Sequence, residues 1–80
     1  MWYVYILLCA DGSFYTGCTN NVNRRVESHF NGKGARYTKS HKPKKLVYQE
    51  KLKTQSLALK REAKIKKLTK KQKETLVQKE

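Results

Sequence analysis

Eighty residues carry nineteen Lys and Arg against six Asp and Glu, a formal charge of +13, on a chain short enough to bury only one modest core. That balance selects a polyanion as partner, most often nucleic acid, through phosphate contacts and counterion release. It leaves an anionic membrane surface as competitor, but no apolar run approaches the length of a transmembrane span and no helix face is strongly apolar.

The chain opens without a basic leader, Met1-Trp2-Tyr3 running straight into a strand, so no export signal is expected and the location expected is cytoplasmic. Residues 3–9 and 13–18 read as strands, rich in Tyr, Val, Ile, Leu, Phe and Thr and bracketing ADGS. From Asn20 to Phe30 the apolar spacing turns helical, with Val22, Val26 and Phe30 as the expected buried stripe. Asn20 or Asn21 caps this helix and Asn31-Gly32 ends it. Residues 31–44, NGKGARYTKSHKPK, are polar, hold two glycines and the only proline, and read as loop. A third strand is expected over 45–52, then a helix capped by Thr54 and running to about Leu68. Thr69-Lys70-Lys71-Gln72 fits a capping box and starts a last short helix carrying Leu76 and Val77. The order β-β-α-β-α-α makes one α+β domain over 1–80, a three-stranded antiparallel sheet flanked by helices.

The first hairpin has two readings. A two-residue Asp11-Gly12 turn pairs Leu8 with Tyr15 and sends Tyr5 and Tyr15 to opposite faces. A three-residue loop, Ala10-Asp11-Gly12, with Gly12 left-handed, pairs Leu7 with Tyr15 and Tyr5 with Gly17. The two phenols then share one face as diagonal neighbours, with room left at Gly17 for something to approach. A slip of one residue separates a scattered pair from a site, and the residues alone support both.

Three placements beyond the hairpin stand out. Arg25 and His29, four apart, lie along one edge of the helical stripe, while Arg24 points to the solvent side. Taken singly, Arg25 is an ordinary snorkelling arginine and His29 an ordinary half-buried histidine. Glu62 sits among Ala58, Leu59 and Ile65 in a helix of otherwise basic charge. Such a carboxylate needs a partner or a cation; its ordinary reading is an i,i+4 pair with Lys66. Cys9 and Cys18 are too few and wrongly spaced for a metal site of their own, and read as two reduced cysteines.

Tyr3-Val4-Tyr5, Tyr15-Thr16-Gly17, Arg25, His29 and Glu62 within ALKREAKIKKL, taken in order, resemble the GIY-YIG nuclease family. The phrases YVYIL, GKGARYT and ALKRE are similar to its small stand-alone bacterial members, and the resemblance runs from Trp2 to about Val77. It implies the shared-face hairpin and phosphodiester hydrolysis assisted by one divalent metal, Mg²⁺, with Mn²⁺ expected to substitute. Glu62 would hold the metal, Arg25 would bind the scissile phosphate, Tyr5 would act as general base with His29 assisting, and Tyr15 would orient water or phosphate. An unperturbed phenol titrates near 10, so Tyr5 must be lowered by its surroundings or relayed through His29. Departures from the family pattern are Tyr3 for its first glycine, Thr16 for its second isoleucine, Cys18 for a lysine and Glu74 for an asparagine. The lost lysine implies weaker activity, or phosphate binding moved to Lys33 or Arg36.

DNA is the expected partner, with RNA as the alternative. Lys33, Arg36, Lys39, Lys42, Lys44 and Lys45 can follow a phosphate backbone, and Tyr37 or His41 can stack on an exposed base. With no added domain to choose a sequence, selection by nucleic-acid structure is expected, as in repair or recombination, by a monomer or with a targeting protein. A catalytically weak binding module on the same fold and a small RNA- or ribosome-associated protein are the competing readings.

Overall fold

The computed structural model describes residues 1–78; Lys79 and Glu80, the end of the domain expected over 1–80, lie outside the described residues. Its elements are β1 (Trp2–Cys9), β2 (Phe14–Thr19), α1 (Val22–Phe30), α2 (Arg36–Ser40), β3 (Pro43–Leu52), α3 (Gln55–Lys66) and α4 (Lys70–Gln78). The three strands form one antiparallel sheet in the order β2-β1-β3, leaving β2 on an edge. The α+β architecture expected from the sequence is the one observed, with α2 as an addition inside the segment expected to be loop. A five-residue helix is too short to print a periodic signal.

The hairpin adopts the three-residue loop. Gly12 has φ of 86°, Cys9 N–H donates to the Ser13 carbonyl at 2.8 Å and Gly12 N–H to the Cys9 carbonyl at 2.9 Å. The Asp11 carboxylate tightens the turn by accepting from the backbone N–H and hydroxyl of Ser13 at 3.0 and 2.6 Å. Leu7 therefore faces Tyr15 and Tyr5 faces Gly17. On the β1–β3 side Ile6 pairs with Tyr48 and Leu7 with Leu46, so Val47 is the extra residue of a bulge.

Alternation along β1 divides the molecule. Val4 and Ile6 point into a core with Ala58 and Ile65 of α3, edged by Trp2, Phe14, Cys18, Leu52, Leu68, Leu76 and Val77. Tyr5, Leu7 and Cys9 point the other way and are buried too, with Tyr5 against His29 of α1. Thr16, on the α3 side of β2, has a buried hydroxyl with no hydrogen-bond partner among the described residues.

Caps set the helix ends. Asn21 accepts the Arg24 N–H at 3.1 Å, and Gly32, with φ of 75°, turns the chain out of α1. Thr54 accepts from Leu57 N–H at 3.2 Å. Thr69 and Gln72 form the expected reciprocal box at 2.9 and 3.1 Å. The Val22–Val26–Phe30 stripe, however, is not what α1 buries. Val22 and His29 are buried, Val26 is intermediate, and Phe30 is 47% exposed. Residues seven apart lie nearly on one line of a helix, whereas Phe30 is a further 100° around. Burying an imidazole is tolerable here because both its nitrogens are hydrogen-bonded.

A polar clamp ties α3 to β3. Glu50 accepts from the Tyr48 hydroxyl at 2.7 Å and from Arg61 Nε at 3.0 Å, with both members of the ion pair about one-third exposed or less. Replacing Glu50 by Ala leaves two partly buried donors without their acceptor, which costs about 1–3 kcal/mol. Denaturant midpoints should therefore fall well beyond the near-zero change of an exposed surface pair; an unchanged midpoint would show that the clamp does not hold α3.

Candidate active site

Register alone brings the two phenols together. Tyr5 and Tyr15 are diagonal neighbours on one face, their ring centroids 6.2 Å apart. The space expected at Gly17 for an approaching ligand is instead filled by Tyr5. A Cβ at Gly17 would sit 2.6 Å from the Tyr5 hydroxyl oxygen and 2.8 Å from its ring. Because Tyr5 is fully buried, it cannot step aside, and only glycine fits.

From α1, His29 reaches the same point. Its Nε2 lies 2.7 Å from the Tyr5 hydroxyl, and its ring centroid is 5.0 Å from that of Tyr15. Its Nδ1 lies 2.8 Å from the Thr38 hydroxyl, which α2 delivers. The segment before α2 closes over the imidazole so tightly that a Cβ at Gly34 would overlap Nδ1 and stand 2.8 Å from Cγ. Thr38 and Gly34 are contacts of His29 that sequence reasoning missed, since both meet it only through the tertiary fold. Tyr37 stacks with Tyr15 at 5.8 Å and with His41 at 4.0 Å between centroids. The rings expected to meet a nucleobase are thus packed against the site and against each other. His41 in turn stands 3.9 Å from Asp11 in the hairpin turn.

Burial dominates the electrostatics. It pushes the Tyr5 phenol well above its ordinary value, Tyr15 adds to the rise, and the Arg25 guanidinium opposes it without winning. The His29 imidazole is pushed below its ordinary value, first by burial and then by Arg25. The pair is therefore a neutral phenol bonded to a neutral imidazole, and burial leaves no ready phenolate.

Glu62 arrives from the opposite side of the sheet, on α3. Its side chain is 16% exposed and its Oε2 lies 2.8 Å from Lys66 Nζ, the i,i+4 pair. Of the apolar neighbours expected around it, Ala58 and Ile65 are buried but Leu59 faces solvent. Cys18 lies beside Glu62, its thiol pushed up to about 11 by burial and then by that carboxylate. The Glu62 charge also reaches the Tyr5 phenol, as the smallest of the influences raising it.

Tyr5, Tyr15, His29 and Arg25 thus gather on the α1 side, with Glu62 and Lys66 near the β2 edge. Lys33, Arg36, Lys39, Lys42, Lys44 and Lys45 lie around α2 and the start of β3, and all six are exposed. A groove of about 560 Å³ opens next to the cluster, lined by Thr19, Asn20, Asn21, Arg24, Arg25 and Ser28. Arg24, read from the sequence as merely solvent-facing, therefore shares a groove with Arg25. Among the described residues no three His, Cys, Asp or Glu side chains group as a metal cage. A single hard carboxylate still suits Mg²⁺, which takes one or two carboxylates and fills its other positions with water and phosphate.

Residues 1–75 match the model of the GIY-YIG catalytic domain. A UPF0213 protein of Staphylococcus epidermidis is 55% identical over 76 residues, covering 95% of this chain and 93% of the relative. One from Staphylococcus aureus is 53% identical over 75 residues, covering 94% and 92%. The solution NMR structure of the UPF0213 protein from Bacillus halodurans superposes with a TM-score of 0.61 at 44% identity, covering 98% of this chain and 84% of that one. That of a protein from E. faecalis gives 0.63 at 46% identity, covering 96% and 82%.

The Gly34 contact makes a specific demand. Gly34→Ala forces the imidazole or the loop to move and should destabilise the protein by about 1–3 kcal/mol, with His29 ring resonances shifting more than those of the α3–α4 core. Wild-type stability with unshifted His29 resonances would show that the loop does not clamp the ring.

Proposed function

The chain belongs to the GIY-YIG nuclease family, and on that footing we propose that it is a divalent-metal-dependent endonuclease that hydrolyses phosphodiester bonds in DNA. The observation that carries the proposal is the buried Tyr5–His29 pair with the Arg25 guanidinium beside the phenol. A binding surface has no use for a buried phenol hydrogen-bonded to a buried imidazole.

Hydrolysis needs an acceptor for the proton of the attacking water, and cationic groups for the charge that builds on phosphorus. Arg25 would bind two phosphate oxygens through its planar fork. Tyr5 receives the proton of water at its oxygen as its own proton passes to Nε2 of His29, so the imidazole holds the proton at the end of the step. This order avoids a free phenolate, which burial disfavours, in exchange for a transient imidazolium, which burial and Arg25 disfavour too. Tyr15 orients the water or the phosphate. Glu62 would hold Mg²⁺, with Mn²⁺ able to substitute, and the ion would supply Lewis-acid stabilisation of the phosphate and the departing oxygen.

The basic residues Lys33, Arg36, Lys39, Lys42 and Lys44, and the groove holding Arg24, offer phosphate contacts without base readout. Selection is therefore by DNA structure, as in repair or recombination intermediates, by a monomer acting in the cytoplasm, alone or with a protein that targets it. One observation favours a second reading, a catalytically weak nucleic-acid-binding module: Lys66 already neutralises Glu62.

Cleavage of labelled duplex, single-stranded, flap and branched DNA, and of one RNA, separates the two. Wild type and Glu62→Ala would be assayed with Mg²⁺, with Mn²⁺ and with EDTA. Metal-dependent cutting of DNA that falls by at least about a hundredfold in the variant is the expected result, on the order of the loss of a directly acting catalytic group. Tight binding with no cutting under either metal would replace the nuclease by the binding module.

A further inference from the structure

Thr38 takes no part in the proposed reaction, yet it is 3% exposed and hydrogen-bonded on both sides. Its hydroxyl oxygen stands 2.9 Å from the Ala35 carbonyl and 2.8 Å from His29 Nδ1. A carbonyl can only accept, so the single hydroxyl proton of Thr38 is committed to Ala35. What Thr38 turns toward His29 is then a lone pair, and Nδ1 must carry the hydrogen. A neutral imidazole has one N–H, so Nε2 is bare and accepts the Tyr5 hydroxyl 2.7 Å away.

The alternative arrangement fails twice. With the hydrogen on Nε2, Nδ1 would need the Thr38 proton, and the Thr38 and Ala35 oxygens would face each other 2.9 Å apart with no hydrogen between them. The Ala35 carbonyl would keep only the longer 3.3 Å bond from Lys39 N–H. Nε2–H would then donate to the Tyr5 oxygen, and His29 could take nothing from that phenol. Only the first arrangement aligns every bond in one direction, from Tyr5 through His29 and Thr38 to Ala35.

We propose that Thr38 is a positioning residue that fixes the His29 tautomer, and with it the direction in which a proton can leave Tyr5. The inference rests on the proposed reaction for its catalytic meaning, but the tautomer itself is a property of the protein alone. The proton balance is complete: Nε2 gains the phenol's proton, Nδ1 keeps its own, and Thr38 already accepts from Nδ1–H, so no side chain has to turn. A neutral hydroxyl in this position, where a carboxylate could have stood, orients the ring without adding a charge to it.

The test is long-range ¹H–¹⁵N NMR of the His29 ring at neutral pH in wild type, Thr38→Ser and Thr38→Val, with steady-state kinetics on a cleavable DNA. The Nδ1–H tautomer is expected in wild type and in Thr38→Ser. Thr38→Val should move the ring toward the Nε2–H form and lower kcat by roughly ten- to a hundredfold, with KM little changed and serine restoring the rate. A wild-type ring in the Nε2–H form overturns the inference, and this spectrum decides even if the valine variant does not fold. Retention of Nδ1–H in a folded Thr38→Val also overturns it. The expected tautomers in a protein that cuts no DNA would support the role of Thr38 in orienting the ring and defeat the nuclease reading instead.

Discussion

A hydrogen bond of 2.7 Å between a fully buried phenol and a fully buried imidazole is the constraint around which the rest of this small protein is arranged. Neither group can be left unpaired away from water without a cost of a few kcal/mol, so each element nearby is committed to satisfying the pair. The hairpin takes the register that turns Tyr5 toward Tyr15. Gly17 gives up its side chain to make room. The first helix rotates to bury His29 and leaves Phe30 half in solvent. The short second helix brings Thr38 to the other ring nitrogen.

The sheet separates this polar face from an ordinary one. On the α3 side, Val4, Ile6, Ala58 and Ile65 form an apolar core, and the Glu50–Arg61–Tyr48 clamp holds the helix on the strand. Stability can thus reside largely on one face while the other carries a buried polar cluster. Glu62, carried by the apolar side, contributes only the smallest of the influences that raise the phenol of the other side. The large positive charge stays out of this cluster, on side chains that reach solvent, where it can meet phosphates with little desolvation cost. Arg25 is the cation admitted to it, and its pull on the phenol is outweighed by burial.

How much of this was legible in the sequence depends on the range of the interactions. The strands, the capped helices and the Glu62–Lys66 pair rest on local patterns, and each appears in the structure. The hairpin register was open from the residues alone, because Asp11-Gly12 suits either loop; the resemblance carried by Tyr5, Tyr15, Arg25, His29 and Glu62 favoured the observed one. The α1 stripe misled because hydrophobicity favours Phe30 over His29, whereas hydrogen bonds from two other elements make the imidazole the better buried residue. Thr38 and Gly34 lay in a polar stretch that reads as loop, and nothing local marks a hydroxyl that will meet a histidine nine residues away. Gly17 was legible as a small residue, but the sequence placed a ligand where the protein puts its own ring.

The central claim is that Tyr5 and His29 act as one unit in moving a proton. Single-turnover cleavage by Tyr5→Phe, His29→Gln and the double variant, under saturating metal, tests it most directly as a double-mutant cycle. Each single variant is predicted to lose nearly as much rate as the double, because breaking either end disables the same path. Losses that multiply in the double variant would mean that the two residues work independently, and the relay would have to be abandoned.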